Sequence, residues 1–262
     1  MNHHYYPGAL SRHQHVFVSS AYLALYRLGF AVLRLLLEEF GRSLSRFIFE
    51  LDDWADASAG DRVDPALIER FVAARFGEHD HRVSLVRYMF AATELTKRVE
   101  GRRTSSVAGW QLTEPNHESR YGLAEASVVL HDIHACADIL KSLSIASGAG
   151  VVSDPLRTMR GDCLLVLEKA GHRQVRSFML NDASRILLDF FSVPRRLAEF
   201  QGAFGPPLFE LERSEAAFQW LIDVGAVQPV IEPPVVAGLT RSQQRRAGAR
   251  SPSPVDVTAT LA

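Results

Sequence analysis

The sequence predicts an α+β protein in which an N-terminal helical bundle precedes a C-terminal domain with a small antiparallel sheet and three helices. Two observations support this class. Apolar residues first recur at helical spacing, and later in the chain two apolar, strand-like runs are followed by three helical segments. A change to Gly, Arg, Ser, Thr and Pro separates these regions. We therefore predict a helical domain over 15–100, a linker over 101–123, a second domain over 124–233 and a disordered tail over 234–262.

The bundle is predicted from apolar faces and from helix boundaries. The segment 64–77 has its own start and stop signals, because Asp64 can cap the first amides, Pro65 suits the first turn and Gly77 can close the helix. A further helix is expected over 82–98. The residues that recur at steps of three and four in the first helical region are Leu25, Leu28, Val32, Leu35 and Leu36.

The second domain is predicted from a strand, a short helix, a hairpin and three further helices. Gly171 suits a tight turn between the two hairpin strands, Asn181 can cap the first of the three helices, and Pro194 can start the second. The order is similar to that of winged-helix domains. The predicted strands are 127–134, 164–169 and 175–180, and the predicted helices are 135–143, 181–191, 192–204 and 210–225.

Composition excludes several classes of protein. The formal net charge is −1, so bulk electrostatics give no reason to expect nucleic acid or an anionic membrane as partner. Cys136 and Cys163 are the two cysteines, without a CxxC pair, as is typical of a reduced, cytosolic protein. The most apolar stretch, 16–40, is interrupted by charges and indicates a buried helix. We therefore expect a soluble, cytoplasmic protein that binds neither membrane nor nucleic acid.

Motifs that carry chemistry are absent from the sequence. It has no phosphate loop, GxSxG or HExxH motif. The best metal candidates are His131, Asp132, His134 and Cys136, but on a strand His131 and His134 would face opposite sides; on a helix they could share an ion. Cys163 and His172 could meet across the hairpin, although nothing evident would orient such a pair. We expect no catalytic centre, no metal and no cofactor in this chain.

The predicted C-terminal domain suits peptide binding better than DNA binding. Its third helix carries Glu210, Glu212, Glu215 and Asp223 against Arg213, which would repel phosphate. An extended peptide could instead pair with an exposed strand, 175–180 or 164–169, beside that helix. Trp220 could serve the groove or complete the core, and both interpretations stay open. The predicted peptide-binding residues are Val175, Arg176, Ser177, Phe178, Arg213, Ala217 and Trp220.

Two stretches of this domain resemble a known recognition element. The runs VRSFMLNDASRILLDFFSVPRRLAEF and AAFQWLIDVGAVQPV are similar to the recognition element of pathways that make ribosomal, post-translationally modified peptides. The family pattern is a strand, a Leu-Asn helix start, an Ile-Leu pair, a short second helix and a hydrophobic–Gly–hydrophobic helix end. The matching positions are Leu180-Asn181, Ile186-Leu187 and Leu221 through Val227.

A broader resemblance covers about 15–230. The runs LALYRLGFAVLRLLLEEF, RFVAARF, SLVRYMFAATEL and SVVLHDIH, with the C-terminal unit, are similar to partner proteins of multinuclear non-heme iron oxidative enzymes in methanobactin-type and thia-amino-acid pathways. The resemblance implies a non-catalytic subunit that forms a heterocomplex with such an enzyme and binds the leader or core of a precursor peptide. The iron chemistry on cysteine would belong to the enzyme. The alternatives are a winged-helix DNA-binding regulator and an enzyme with an unrecognised site.

Overall fold

The computed structural model describes residues 12–55, 63–100, 118–145, 152–167, 174–204 and 211–230. The predicted α+β class is confirmed. The described residues from 12 to 229 belong to one compact unit. The predicted tail over 234–262 lies outside the described residues, so its prediction is not tested.

Five helices form the N-terminal bundle. As the sequence predicted, Asp64 caps α4 by accepting a 2.6 Å hydrogen bond from the Leu67 amide and Pro65 opens the helix. Gly77 ends the helix with a positive φ of 96°, but its ψ of 145° is extended and not the expected left-handed helical value. The helices are α1 (Arg12–Tyr26), α2 (Gly29–Leu37), α3 (Leu44–Trp54), α4 (Pro65–Phe76) and α5 (His81–Glu100), with a 3-10 turn over Glu38–Phe40.

The rest of the described chain contains two three-stranded antiparallel sheets and five helices. One sheet has the order β5-β1-β6 and the other β2-β3-β4. The strands are β1 (Arg120–Leu123), β2 (Ser127–His134), β3 (Arg160–Leu167), β4 (Val175–Met179), β5 (Arg195–Arg196) and β6 (Val227–Pro229). The helices are α6 (Cys136–Ile145), α7 (Asp154–Thr158), α8 (Asp182–Phe190), α9 (Leu197–Phe204) and α10 (Leu211–Asp223).

Strand β3 separates two hydrophobic cores. Cys163, Leu165 and Leu167 pack into the bundle core, which includes apolar residues of α1 to α6. Leu164 and Val166 point to the other face and pack into the C-terminal core, which includes apolar residues of α8, α9 and α10. Successive residues of a strand face opposite sides of the sheet. All five side chains are buried because each side of β3 is covered by one of the two cores. The β2-β3-β4 sheet therefore contributes apolar side chains to both cores, and we call this sheet the shared wall.

Three predicted features need correction. The predicted linker 101–123 ends in strand β1, since Tyr121 pairs with β5 and β6 and packs into the C-terminal core; residues 101–117 lie outside the described part. Helix α9 starts at Leu197 and not at Pro194, because Arg195–Arg196 pair with β1. The run 164–169 cannot offer a free edge over 164–167, because β3 pairs with β2 on one side and β4 on the other.

Among the described residues, no single helix is long and apolar enough to cross a membrane. Val16–Tyr26 and Gly29–Phe40 pass that test together by length and composition, but they are bent by 118° at the break between them.

Candidate functional site: the outer edge of strand β4

Strand β4 ends its sheet in the described part of the chain, which leaves one side for a further strand. The Leu180 amide donates to the Asp162 carbonyl at 2.8 Å, which fixes how the β3–β4 hydrogen bonds alternate. Arg176 and Phe178 therefore direct their N–H and C=O groups towards β3. Val175, Ser177 and Met179 direct theirs outward, and these are the groups that an added strand would bind.

Side chains of β4 divide between the two cores. Val175 packs against the bundle core, and the Ser177 hydroxyl forms a hydrogen bond with Tyr88 of α5, where burial raises the pKa of Tyr88. Phe178 lies on the other face and packs against the C-terminal core. Arg176 is exposed on that face, with its guanidinium 5.1 Å from the centre of the Phe178 ring. Val175 and Ser177 can therefore offer main-chain groups to a strand added beside β4, but their side chains do not lie on the α10 side.

Helix α10 packs beside the face of β4 that carries Phe178. The Phe178 and Trp220 rings meet edge to face with their centres 5.4 Å apart. Ala217 and Trp220 are half-buried, whereas Arg213 is exposed, and the three positions follow one stripe of the helix because they are spaced by four and three residues. Trp220 packs against the C-terminal core and contacts β4 as well, so it has a part in each of the two interpretations left open above.

Charge on the exposed surface of α10 is mixed. Glu215 accepts a hydrogen bond from Gln201 at 3.2 Å, and Asp223 accepts one from Gln219 at 2.7 Å. Both carboxylates are exposed. Arg213 of α10 and Arg176 of β4 are the basic residues that the sequence singled out for peptide binding, and both are exposed.

The candidate metal ligands lie in different surroundings. His131 is exposed and its Nδ1 is 3.3 Å from Asp162 Oδ2, whereas the His134 side chain is buried between α5 and α7. Cys136 packs in the bundle core. The described residues bring together no group of three or more His, Cys, Asp or Glu side chains that could hold a metal ion.

A bulge in β2 accounts for the position of these residues. Between Leu130 and Ile133 the register with β3 shifts, and Asp132 takes a left-handed φ of 49°. Asp162 Oδ1 accepts from the Asp132 amide at 3.0 Å, and Arg160 donates to the Asp132 carbonyl at 2.8 Å. Partial burial opposes ionisation of Asp162, but its hydrogen bonds and the nearby Arg185 lower its pKa. These contacts stabilise the strained backbone.

Sequence reasoning missed a buried polar cluster between α5 and β2. The Ser84 hydroxyl lies 2.8 Å from His134 Nδ1, and His134 Nε2 lies 2.8 Å from the Arg157 carbonyl. Because a carbonyl only accepts, Nε2 carries the proton and Ser84 donates to Nδ1. Burial lowers the pKa of His134, and it lowers that of the adjacent His81 to about 4. His81 Nε2 is buried without a hydrogen-bond partner in the described part of the protein.

Both cysteines have the surroundings of structural thiols. Burial raises the pKa of Cys163 to about 11, and burial together with the nearby Cys163 raises the pKa of Cys136. Neither thiol therefore forms the nucleophilic thiolate to a useful extent near neutral pH. His172, the possible partner of Cys163, lies outside the described residues.

The comparisons with known proteins add no assignment. The sequence matches no protein-family model, and no curated protein is significantly similar to it. Support for a function therefore comes from the β4 edge, the α10 stripe and the surfaces around them.

Proposed function

We propose that this chain is a non-catalytic partner subunit that binds a ribosomal precursor peptide and presents it to a non-heme iron oxidative enzyme acting on cysteine. The observation that carries the peptide-binding part is the outer edge of β4, with unpaired main-chain groups in the described chain beside the α10 stripe. The resemblance of the sequence to recognition elements and to partner proteins supports the class of peptide and enzyme. Winged-helix-like architecture of β2–β4 with α8–α10 is part of this proposal.

The geometry of β4 also indicates what the peptide should contain. A peptide strand added beside β4 would bond to the main chain of Val175, Ser177 and Met179. Its side chains opposite Arg176 and Phe178 would lie on the α10 face, two residues apart along the peptide. A carboxylate suits the Arg176 guanidinium, and an apolar side chain suits the Phe178 and Trp220 rings. We therefore expect the bound segment to carry an acidic and an apolar residue at alternate positions.

The first prediction tests strand addition directly. Met179→Pro removes an outward amide and places a ring where the peptide carbonyl would approach, while the β3–β4 ladder keeps its hydrogen bonds. We expect peptide affinity to fall about tenfold or more, because a lost hydrogen bond of about 1 kcal/mol adds to the steric clash. The measurement is calorimetric or polarisation titration with the precursor leader.

Met179→Ala is the matched control for this variant. It removes the same partly exposed side chain but retains the amide, so its affinity should stay close to that of the wild type. Equal affinities for the proline and alanine variants would show that the peptide does not pair with β4.

The second prediction concerns the two arginines of the groove. Arg213→Glu and Arg176→Glu should each weaken binding of an acidic leader about tenfold or more, because a charge-assisted hydrogen bond contributes about 1.5–3 kcal/mol. Arg70→Glu is the control, since it makes the same charge change on the exposed side of α4. If all three variants bind the leader equally well, the peptide docks elsewhere.

The enzyme part of the proposal is tested by co-expression. The chain should co-purify with the non-heme iron oxidative enzyme encoded beside it, next to a gene for a short cysteine-containing peptide. Iron should follow the enzyme when the two proteins are separated. Recovery of the chain without that enzyme under conditions in which both are folded would contradict this part.

A further inference from the structure

The two edges of the shared wall differ in their protection against further strand pairing. At the β2 edge the register with β3 shifts between Leu130 and Ile133, and Asp132 takes a left-handed φ of 49°. A bulge of this kind bends an edge strand and interrupts the row of groups that another strand would bind. By contrast, β4 pairs with β3 in unbroken register from Val175 to Met179, and this stretch contains no lysine or proline. In the described part of the chain, the β4 edge therefore lacks the devices that protect the β2 edge.

A regular edge without such devices can pair with the same edge of a second copy. In a two-fold antiparallel pair, the residues that direct their N–H and C=O groups outward must lie opposite one another. In β4 these residues are Val175, Ser177 and Met179. When Ser177 lies opposite Ser177 of the second copy, Val175 lies opposite Met179, and every outward group of the three residues finds a partner.

Charge and hydrogen bonding select this register over its neighbours. A pair centred on Arg176 would place two arginines directly opposite each other, which is unfavourable, and would leave Met179 without a partner in β4 of the other copy. A pair centred on Phe178 would leave Val175 without one. With Ser177 at the centre, Arg176 lies opposite Phe178 of the second copy, on the face of the sheet that carries α10.

The side chains that this register brings together are complementary. The Arg176 guanidinium lies 5.1 Å from the centre of the Phe178 ring in its own chain, and in the pair it would also adjoin the Phe178 ring of the second copy. On the opposite face, the Met179 side chain, which is 39% exposed, would contact Val175 of the second copy. The pairing thus covers an exposed apolar side chain and places no like charges directly opposite each other.

We propose that, in the absence of peptide, two copies of the chain pair through β4 around Ser177. They form a closed two-fold dimer in which two three-stranded sheets join into one. A strand of five residues in each copy covers less than the roughly 800 Å² that each partner contributes to a standard interface, so the dimer is weak. A precursor peptide would bind the same outward groups and displace the second copy. This competition rests on the proposed function, whereas the pairing itself does not.

Oxidative cross-linking of the full-length chain tests the register. All variants carry Cys163→Ala, because Cys163 lies opposite Met179 in β3 and could capture a new thiol within the chain. Ser177→Cys should form a disulfide-linked dimer, since opposite residues of a hydrogen-bonded pair have Cα atoms about 5.5 Å apart. Met179→Cys is the matched control. It places a more exposed thiol on the same face of β4, but its two copies would lie about 13 Å apart along the strands.

Sedimentation velocity tests the pairing without a cross-link. The mass of the wild type should rise from one chain towards two with concentration, with a dissociation constant between roughly 1 µM and 1 mM. Met179→Pro should remain monomeric, because it removes an outward amide. The leader of the cysteine-containing peptide encoded beside the chain should return the wild type to a monomer and slow the cross-linking of Ser177→Cys. Circular dichroism melting checks that each variant is folded.

Several results would overturn the inference. They are the absence of a Ser177→Cys cross-link, equal cross-linking of Met179→Cys, a wild type that is monomeric up to about 1 mM, and dimerisation of Met179→Pro like that of the wild type. A leader that binds the dimer without dissociating it would overturn the competition, because the peptide would then use another surface. If Ser177→Cys cross-links but the leader does not bind, the pairing through β4 stands and the proposed function is contradicted.

Discussion

Leu164→Ala and Leu165→Ala should each lower the free energy of unfolding by about 3 kcal/mol, although they face different cores. Both side chains are fully buried, Leu164 in the C-terminal core and Leu165 in the bundle core. Because the two residues are consecutive in β3, removal of either weakens the shared wall. We call the residues around the bundle core and those around the C-terminal core the two lobes, and we expect both lobes to unfold in one transition in each variant.

Tryptophan fluorescence during denaturant unfolding can follow the two lobes separately. Trp54 on α3 reports on the bundle and Trp220 on α10 reports on the C-terminal core. Each is left as the single reporter after the other two tryptophans are replaced by phenylalanine. Coincident midpoints that shift together are expected. If Leu164→Ala moves the Trp220 transition alone, the lobes fold independently and the shared wall does not couple them.

Acidification should destabilise the protein by about 3 kcal/mol through His81. Burial lowers the pKa of His81 from 6.5 to about 4, so between these values the unfolded chain binds a proton that the folded chain does not. The free energy of unfolding keeps its neutral-pH value above about pH 6.5 as far as His81 is concerned, falls as pH drops from 6.5 to about 4, and is not lowered further by His81 below that. His134, whose pKa is also lowered, acts in the same direction.

His81→Phe isolates this effect. The ring stays in the buried site but no longer titrates, so the difference in unfolding free energy between variant and wild type should grow by about 3 kcal/mol as pH falls from 7 to 4. Carboxylates that titrate in the same range are common to both proteins. A constant difference over this range would mean that His81 is not buried as a neutral ring.

Local signals in the sequence predicted much of the fold. The start of α4 at Asp64 and Pro65 and the Asn181 cap of α8, whose side chain accepts from the Ser184 amide at 2.8 Å, depend on residues three apart. The β3–β4 hairpin likewise joins neighbouring segments. Such features could be read from composition and spacing because every interacting group lies within a few residues.

Features that depend on distant pairing could not be predicted. Tyr121 and Leu123 of β1 pair with residues more than 100 positions later in β6, and the run RYGL has no strand pattern of its own. The hydrogen bond between Ser84 and His134 spans 50 residues. The apolar run of β3 predicted burial but did not tell which elements cover each face.

The sequence singled out the stripe of α10 and the residues 175–178 as peptide-binding, and it kept 164–169 as a second possible edge. That second edge could not be excluded without the position of β2. The structure pairs β2 with β3, so the outer edge of β4 is the one that can receive a strand.

The shared wall also determines how the polypeptide could be divided. A fragment beginning at residue 118 would carry Cys163, Leu165 and Leu167 on an uncovered sheet face, and a fragment ending at residue 100 would leave the apolar side of α5 without its counterpart. Each half produced alone should therefore aggregate or be degraded. Produced together in one cell, the two fragments should assemble into a folded two-chain protein, because each supplies the apolar surface that the other needs.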